Sequence, residues 1–336
     1  MSRTAVAVLG ALAALVLLII VAFSVGRYPV PAGDLVNLLW AKLSGGAHGV
    51  DSTIEAVVWK IRGPRVVSAI LIGAALAAAG AAYQNMFRNP LVSPDILGVS
   101  AGAAVGAVLG IFLSLNVIMI QSLAFAFGLG AVVLVYVVSN TVRGHDPLLV
   151  LVLAGVVVGS LLGACVALMK YLADPYNQLP AITFWLLGSL AAATPSDVWS
   201  TLPLILLGLV PMWLLRWRIN LLSLDDEEAR ALGVETGRIR IVVIAAATLM
   251  TSAAVAVSGI IGWIGLVIPH FARLLMGPDF SRLLPTSILL SSTLLLAVDT
   301  LARTVARIEI PLGVLTAFVG TPLFLWQLAT ARRGWQ

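Results

Sequence analysis

The sequence predicts an all-α integral membrane protein that forms a single transmembrane domain over residues 1–336. Three observations lead to this prediction: 60% of the residues are apolar, only 10% are charged, and the mean hydropathy is +1.06. A soluble domain of this length carries many more charged residues. The apolar residues also fall into runs long enough to cross about 30 Å of hydrocarbon.

Ten apolar segments have the length expected of membrane spans. They lie at about residues 5–25, 66–86, 96–113, 117–139, 148–169, 198–215, 241–257, 260–276, 285–302 and 311–330. The first could be a signal peptide, but it is long and no small-residue cleavage site follows, so we expect a span. A further apolar piece, Ala181–Leu190, is too short to cross and is expected to be interfacial or re-entrant. The polar connection at residues 26–60 is expected to lie across the outer, periplasmic face.

Basic residues are distributed unevenly between the two faces. An even number of spans puts both termini on one side, and with the termini inside, twelve of the 20 Lys and Arg residues lie on the inner face. This follows the positive-inside rule only moderately. The outer bases include a cluster and a pair: Lys60, Arg62 and Arg65, and then Arg303 and Arg307. Such a cluster favours an acidic partner outside, which charges would steer and orient; snorkelling could explain any single one.

The most charged stretch is the connection between the sixth and seventh spans. Residues 216–240 hold 10 of the 35 charges of the chain. Acidic residues at its start and a following glycine, Gly233, predict a short capped helix over Asp226–Leu232. Ala229, Leu232 and Val234 give this helix a small apolar edge. Such a helix could fit into a groove of another protein, although a solvated loop would have the same composition.

The residues needed for several kinds of chemistry are missing. No Walker motif is present, because the three lysines are followed by Leu, Ile and Tyr. A metal site is not expected, since the three histidines are far apart: His48, His145 and His270. The lone Cys165 excludes an intramolecular disulfide. The net charge of +5 is explained by membrane orientation, so no nucleic-acid partner is expected.

Glycines and prolines suggest where helices pack and where they break. Two GxxxGxxxG ridges (102–110 and 155–163) and glycines at spacing three over residues 259–265 are expected to pack helices closely. Breaks are expected at residues 89–94 and at Pro269-His270, where an interrupted helix could form a gate. Among the few charges inside spans is Asp299, which we expect to pair with Arg303 one turn later.

Several motifs occur in an order and spacing that resemble one family. They are RGPR at 62–65, RNPLVSPDILG at 88–98, EARALGV at 228–234, SGIIGWIGLVIPHFAR at 258–273 and EIPLGVLTAFVGTPLF at 309–324. The chain resembles the ABC importer permeases for ferric siderophores, haem and cobalamin, often called the FecCD-like family. The resemblance runs from about Arg62 to the C-terminus.

The resemblance implies a type II ABC importer permease with ten helices, in a homodimer whose pathway lies on the two-fold axis. It further implies two cytosolic ATPase subunits that bind ATP and Mg, a periplasmic substrate-binding protein, and a place in the bacterial inner membrane with both termini cytoplasmic. This chain would hold no cofactor. Within the coupling loop (residues 221–240) the residues implied to contact the ATPase are Asp226, Glu227, Glu228, Ala229, Arg230, Leu232 and Gly233. Those implied to dock the binding protein are Arg62, Arg65 and Arg303, and those implied at the inner gate are Asn89 and Leu91.

Alternatives remain open for the cargo and for the class of transporter. Iron chelates or haem are the leading expectation, with cobalamin or molybdate as alternatives. An ion-coupled secondary transporter would need titrating acids within spans, and only Asp299 is available. A membrane enzyme would need a nucleophile or metal constellation that the sequence does not show.

Overall fold

The computed structural model describes residues 3–26, 28–45, 49–142 and 146–331, and this part of the chain is all-helical, without strands. His48 and His145 lie outside the described residues. The first eight α-helices are α1 Arg3–Ser24, α2 Ala32–Ser44, α3 Ser52–Ala56, α4 Gly63–Met86, α5 Val99–Phe112, α6 Val117–Thr141, α7 Pro147–Leu172 and α8 Gln178–Leu187. They are followed by α9 Pro195–Leu214, α10 Arg216–Leu221, α11 Asp226–Ala231, α12 Thr236–Ser258, α13 Ile264–Met276, α14 Phe280–Ala302 and α15 Leu312–Ala331.

Six helices in the described part are long and apolar enough to cross a membrane. They are the continuous helix Ser52–Met86, which contains α3 and α4, together with α6, α7, α9, α12 and α14. The other four predicted spans coincide with α1, α5, α13 and α15, of which α5 and α13 have only 14 and 13 residues. The count of ten spans therefore stays a prediction. Helix α8 has 10 residues, which confirms an apolar helix too short to cross.

The second predicted span is part of a much longer helix. It begins at Ser52 instead of near residue 66, and the turns at Val57–Arg62 are π-helical. Hydropathy puts Lys60 at the end of the polar connection and starts the span near residue 66, because it registers only the apolar part of a helix. Arg62 and Arg65 thus lie on a rigid helical element.

Helix α4 occupies the centre of the bundle. In its most apolar window 83% of residues are buried, against 22% in α6. Its alanines and glycines let neighbouring backbones approach: a Cβ on Gly80 would lie 1.8 Å from the Gly265 carbonyl oxygen on α13. On the α14 side, the Ser291 hydroxyl donates to the Gly73 carbonyl oxygen at 2.6 Å. Small residues drive such contacts because lipid provides no hydrophobic difference between helices.

The glycine ridges behave in different ways. A Cβ on Gly102 or Gly106 would clash with α6 backbone oxygens at 2.4 and 2.2 Å, which confirms the first ridge as a packing surface. In the second ridge a Cβ added to Gly155 would clash with the Ile96 carbonyl oxygen, whereas a Cβ added to Gly159 or Gly163 would have no atom within 4 Å.

The third set of glycines does not form one helical ridge, because of its three members only Gly265 lies on a helix, where it packs against α4 as expected. Residues 259–263 are non-helical, and Gly259 has φ +68. The break expected at Pro269-His270 is also misplaced, because Pro269 lies inside α13. The chain instead breaks just before α13, at Trp263, which has φ +72. Proline marks a lost hydrogen bond but not the place where a helix stops, which tertiary contacts decided here.

Candidate functional site

Helix α11 confirms the short capped helix expected in the coupling loop. It begins at Asp226 with three acidic residues in its first turn, which complement the helix dipole. Gly233 has φ +81, and the Val234 amide donates to the Ala229 carbonyl oxygen at 3.0 Å. This is the backbone bond of a glycine C-cap.

Two of the three residues of the apolar edge of α11 face its own bundle, and the third faces solvent. Ala229 is fully buried and Val234 is 6% exposed, whereas Leu232 is 61% exposed. Glu227, Glu228, Arg230 and Gly233 are exposed. The set predicted to contact the ATPase therefore divides into an exposed surface and an anchor. The anchor includes Asp226, whose carboxylate accepts from Arg240 of α12 at 2.6 and 3.0 Å.

The predicted gate residues lie in a tight turn directly after α4, which we call the Asn89 turn (residues 88–92). The Asn89 side-chain oxygen accepts from the Leu91 amide at 2.9 Å, so the turn is closed by its own side chain. Leu91 is 49% exposed.

The structure brings the Asn89 turn and α11 together. Arg88 forms ion pairs with Asp225 and, at 3.6 Å, with Asp226. A cavity of about 600 Å³ lies between the turn, α11 and the start of α7. Nothing in the sequence pattern signalled this contact, because Arg88 and Asp225 are 137 residues apart.

The predicted docking arginines lie together at the opposite end of α4, which is 24 residues long. Arg62 and Arg65 are buried, at 4% and 9% exposed, and Arg303 is half-buried. Arg62 donates to the carbonyl oxygens of Phe23 and Tyr28, and Arg303 donates to that of Ala22. Two of these guanidinium contacts cover the C-terminal carbonyls of α1, where a cation is favourable.

Asp299 forms the expected ion pair with Arg303, but a closer one with Arg65. Its carboxylate accepts from the Arg65 Nε atom at 2.8 and 3.0 Å. Arg303 approaches it only to 3.9 Å. Arg65 also contacts Glu309, so one guanidinium joins α4, α14 and the segment before α15. Periodicity along one helix could suggest Arg303 but could not reveal a partner 234 residues away. We call Arg62, Arg65, Asp299, Arg303 and Glu309 the arginine network.

A second cavity, of about 660 Å³, lies where three broken elements meet: the end of α8, the non-helical residues 259–263 and the start of α15. The Leu312 amide donates to the Gly188 carbonyl oxygen at 2.9 Å, and the Ser189 amide to that of Ser258 at 2.8 Å. The lining is mainly apolar; its polar side-chain groups are the hydroxyl of Thr321 and the indole N–H of Trp263. Backbone breaks at membrane depth are tolerated where protein or a cavity satisfies them. The sequence had flagged the short α8 but not this convergence.

His270 and Cys165 belong to no cluster of metal ligands. Among the described residues no group of three or more His, Cys, Asp or Glu side chains could hold a metal ion. Cys165 is a half-buried free thiol.

A helical bundle with broken helices, small-residue packing and a charged helix held at one end defines a multi-pass membrane permease. Comparison with known families makes the class specific: residues 14–330 match the FecCD transport family, and the chain belongs to it. It is therefore a permease subunit of the ABC transporter class.

Individual relatives differ in their named cargo. The chain is 37% identical over 327 residues to the molybdate import permease MolB of Haemophilus influenzae, which covers 95% of this chain and 94% of that protein. It is 41% identical over 283 residues to a permease of Helicobacter pylori named for iron chelatin transport, covering 84% and 85%. A solved structure described as an inward-facing metal-chelate type ABC transporter has 35% identity and a TM-score of 0.86, covering 96% of this chain and 98% of that one.

Proposed function

We propose that the chain forms a homodimer in the bacterial inner membrane that imports an iron chelate, either haem or a ferric siderophore, by ATP-driven alternating access. Two cytosolic ABC ATPases bind ATP and Mg, and a periplasmic protein delivers the cargo. The observation that carries this proposal is the exposed acidic surface of α11 on a firmly anchored helix. A rigid helix on a membrane subunit can transmit movement from a partner to the bundle.

The coupling surface consists of the exposed members of the predicted set, Glu227, Glu228, Arg230, Leu232 and Gly233. Asp226 and Ala229 hold the helix on the bundle. This division supports transmission of movement through α11, because a helix that is not fixed to the bundle would turn when the ATPase pushes on it. In this proposal α11 and both termini lie on the cytoplasmic side of the membrane, and the arginine network lies on the periplasmic side.

The apolar cavity supports a bulky chelate as cargo. Its lining has no charged side chain and a single hydroxyl group, on Thr321. An oxyanion such as molybdate would need several hydrogen-bond donors to replace its water. The second copy would complete a pathway around this cavity, with Asn89 and Leu91 at its cytoplasmic exit. Molybdate remains the second candidate because of the similarity to MolB; cobalamin is a further one.

Docking of the binding protein by Arg62, Arg65 and Arg303 remains part of the proposal, with a condition that burial imposes. Their position together at one end of the bundle supports it, but several of their donors are turned inward to Asp299 and the α1 carbonyls. Docking would therefore depend on the summed positive potential of the three arginines, or on the release of some of their contacts inside the bundle. The exposed Lys60 on the same helix provides a cleaner test: Lys60→Glu should weaken docking at low salt without affecting the network.

An ion-coupled secondary transporter is less well supported. It would need Asp299 to bind and release a proton or ion, yet this carboxylate is fully buried and held by Arg65.

Purification from the native membrane tests the proposal. The tagged chain should bring down an ATPase with Walker motifs at one copy per permease. Proteoliposomes containing the complex and the binding protein are then supplied with ATP and offered haem, a ferric siderophore, cobalamin and molybdate in turn. They should accumulate haem or the ferric siderophore. Accumulation of molybdate alone would overturn the cargo assignment. A chain that purifies alone and transports on an ion gradient would overturn the ABC mechanism in this proposal.

A further inference from the structure

Arg88 connects the Asn89 turn to the coupling helix through several atoms at once. Its guanidinium pairs with Asp225 and with Asp226, and its Nε atom donates to the Leu222 carbonyl oxygen at 3.2 Å. One turn earlier, the Asn85 side chain donates to the Ile219 carbonyl oxygen at 3.1 Å. The end of α4 is thus attached to α10, to α11 and to the residues between them.

The backbone of Arg88 shows that this side chain has a use beyond ending a helix. Arg88 follows the C-cap residue of α4 and has φ +51. Helices ending in this conformation usually have glycine here, because a Cβ is unfavourable at positive φ. A strained non-glycine residue points to a function for the side chain.

Asp225 also gives up a local interaction for this contact. It occupies the N-cap position of α11, where an aspartate normally accepts from backbone amides of the first turn. Its side chain makes no capping hydrogen bond and instead contacts Arg88. Both partners therefore sacrifice local stability.

The pair returns little stability in exchange. The Arg88 side chain is 34% exposed and that of Asp225 is 78% exposed. Exposed ion pairs contribute little to folding, because water and salt screen them. The Arg88–Asp225 pair therefore contributes less stability than its two residues lose locally. Its role is explained better by the geometry that it imposes on the two segments.

We propose that Arg88 is a positioning residue that fixes the Asn89 turn to α11, so that the turn and the helix move as one body when the ATPase moves α11. The inference rests on the proposed function. Asp226 is shared between Arg88 and Arg240, so α11 is fastened to both α4 and α12. Without Arg88, α11 would still follow the ATPase, but the turn carrying Asn89 and Leu91 would no longer follow α11.

The experiment measures cargo delivered per ATP hydrolysed by the complete importer in proteoliposomes, using whichever of the four probes the wild type accumulates. Arg88→Gly removes the side chain while suiting φ +51. It should leave the unfolding temperature unchanged or raised and ATP hydrolysis intact, and lower cargo per ATP about tenfold, the scale of typical coupling between sites. The exchanged pair Arg88→Asp with Asp225→Arg should recover most of the loss. Arg282→Ala is the control, since within the described part of the chain Arg282 is exposed and its ion pair is with Asp279 in the same turn, at 3.5 Å.

If Arg88 had a purely structural role, its loss would lower stability, ATP hydrolysis and import together. The ratio of cargo delivered to ATP hydrolysed would then stay unchanged, whereas loss of coupling lowers this ratio. An unchanged ratio in Arg88→Gly overturns the proposal. So does a reduced ratio that the exchanged pair does not recover while Asp225→Ala is normal, because the effect would then belong to the turn itself. If the wild type binds no ATPase, the proposed function fails together with this inference; if the wild type imports and Arg88→Gly imports equally well, only this inference fails.

Discussion

Removing Arg65 should destabilise the bundle more than removing any other arginine of the described residues. Asp299 is fully buried, and three of its contacts come from Arg65: two from Nε, at 2.8 and 3.0 Å, and one from Nη2, at 2.8 Å. In Arg65→Ala the carboxylate would keep only Arg303, at 3.9 Å. Its burial would then be almost uncompensated, which is costly in a medium of low dielectric constant.

The expected size follows from this geometry. Breaking a buried pair by removing one partner costs about 3–5 kcal/mol. Average polar contacts between membrane helices contribute only about 0.6 kcal/mol, but a carboxylate left without a partner is outside that average. Asp299→Ala should cost less, roughly 2 kcal/mol, because Arg65 keeps Glu309. The double variant should cost less than the sum of the two, with a coupling energy of about 2 kcal/mol.

Thermal unfolding of the purified chain in detergent provides the assay. About 3 kcal/mol corresponds to a decrease of roughly 4 °C in the apparent unfolding temperature of a chain this long. Arg282→Ala, an exposed arginine paired within one turn, should change it by about 1 °C or less. A temperature for Arg65→Ala equal to that of this control would refute the reasoning, as would strictly additive single and double variants. The result also bears on docking experiments, since reversing Arg65 would disrupt the bundle before it tested a binding protein.

Three further outcomes are expected. Gly80→Leu should prevent α13 from packing on α4 and cost at least about 2 kcal/mol, whereas Gly163→Leu, which meets open space, should leave the monomer's unfolding temperature unchanged; equal effects would contradict the packing. Glu228→Lys with Arg230→Glu should abolish stimulation of the partner ATPase without changing the unfolding temperature, and normal stimulation would remove these charges from the interface. The hydrogen bond from Asn220 lowers the pKa of Asp279. The advantage of wild type over Asp279→Asn should therefore be constant above about pH 4 and disappear as pH falls below the ordinary value of 3.8; a pH-independent difference would exclude the charge as its source.

Local sequence signals were reliable where the decisive interactions lie within a few residues. The acidic first turn and Gly233 predicted α11, and its cap has the backbone bond expected. The apolar lengths identified α6, α7, α9, α12 and α14 as long enough to cross a membrane. The same reasoning failed at residues 259–263, because glycine spacing on an assumed helix has no meaning where the helix is absent.

Partners distant in the chain could not be read from the sequence. The Arg62–Arg65 cluster was correctly picked out as unusual, but a surplus of charge does not say whether the charges face solvent. In the fold they cap α1 and neutralise Asp299. Arg88 was read only as part of a turn, since its partners come from a loop 137 residues later.

The sequence alone determined that this is a multi-pass helical membrane protein of the FecCD family with a capped charged helix at one face. Hydropathy, capping and motif order are properties of the sequence itself, so they can be recognised without knowledge of the fold. Only the tertiary structure decided that the arginines predicted to dock a binding protein are held in an internal network, that the Asn89 turn is joined to α11, and that three broken elements surround a mainly apolar cavity. The physical reason is that an ion pair, a cap or a cavity wall depends on distance in space, and in this bundle the groups that meet come from helices far apart in the chain.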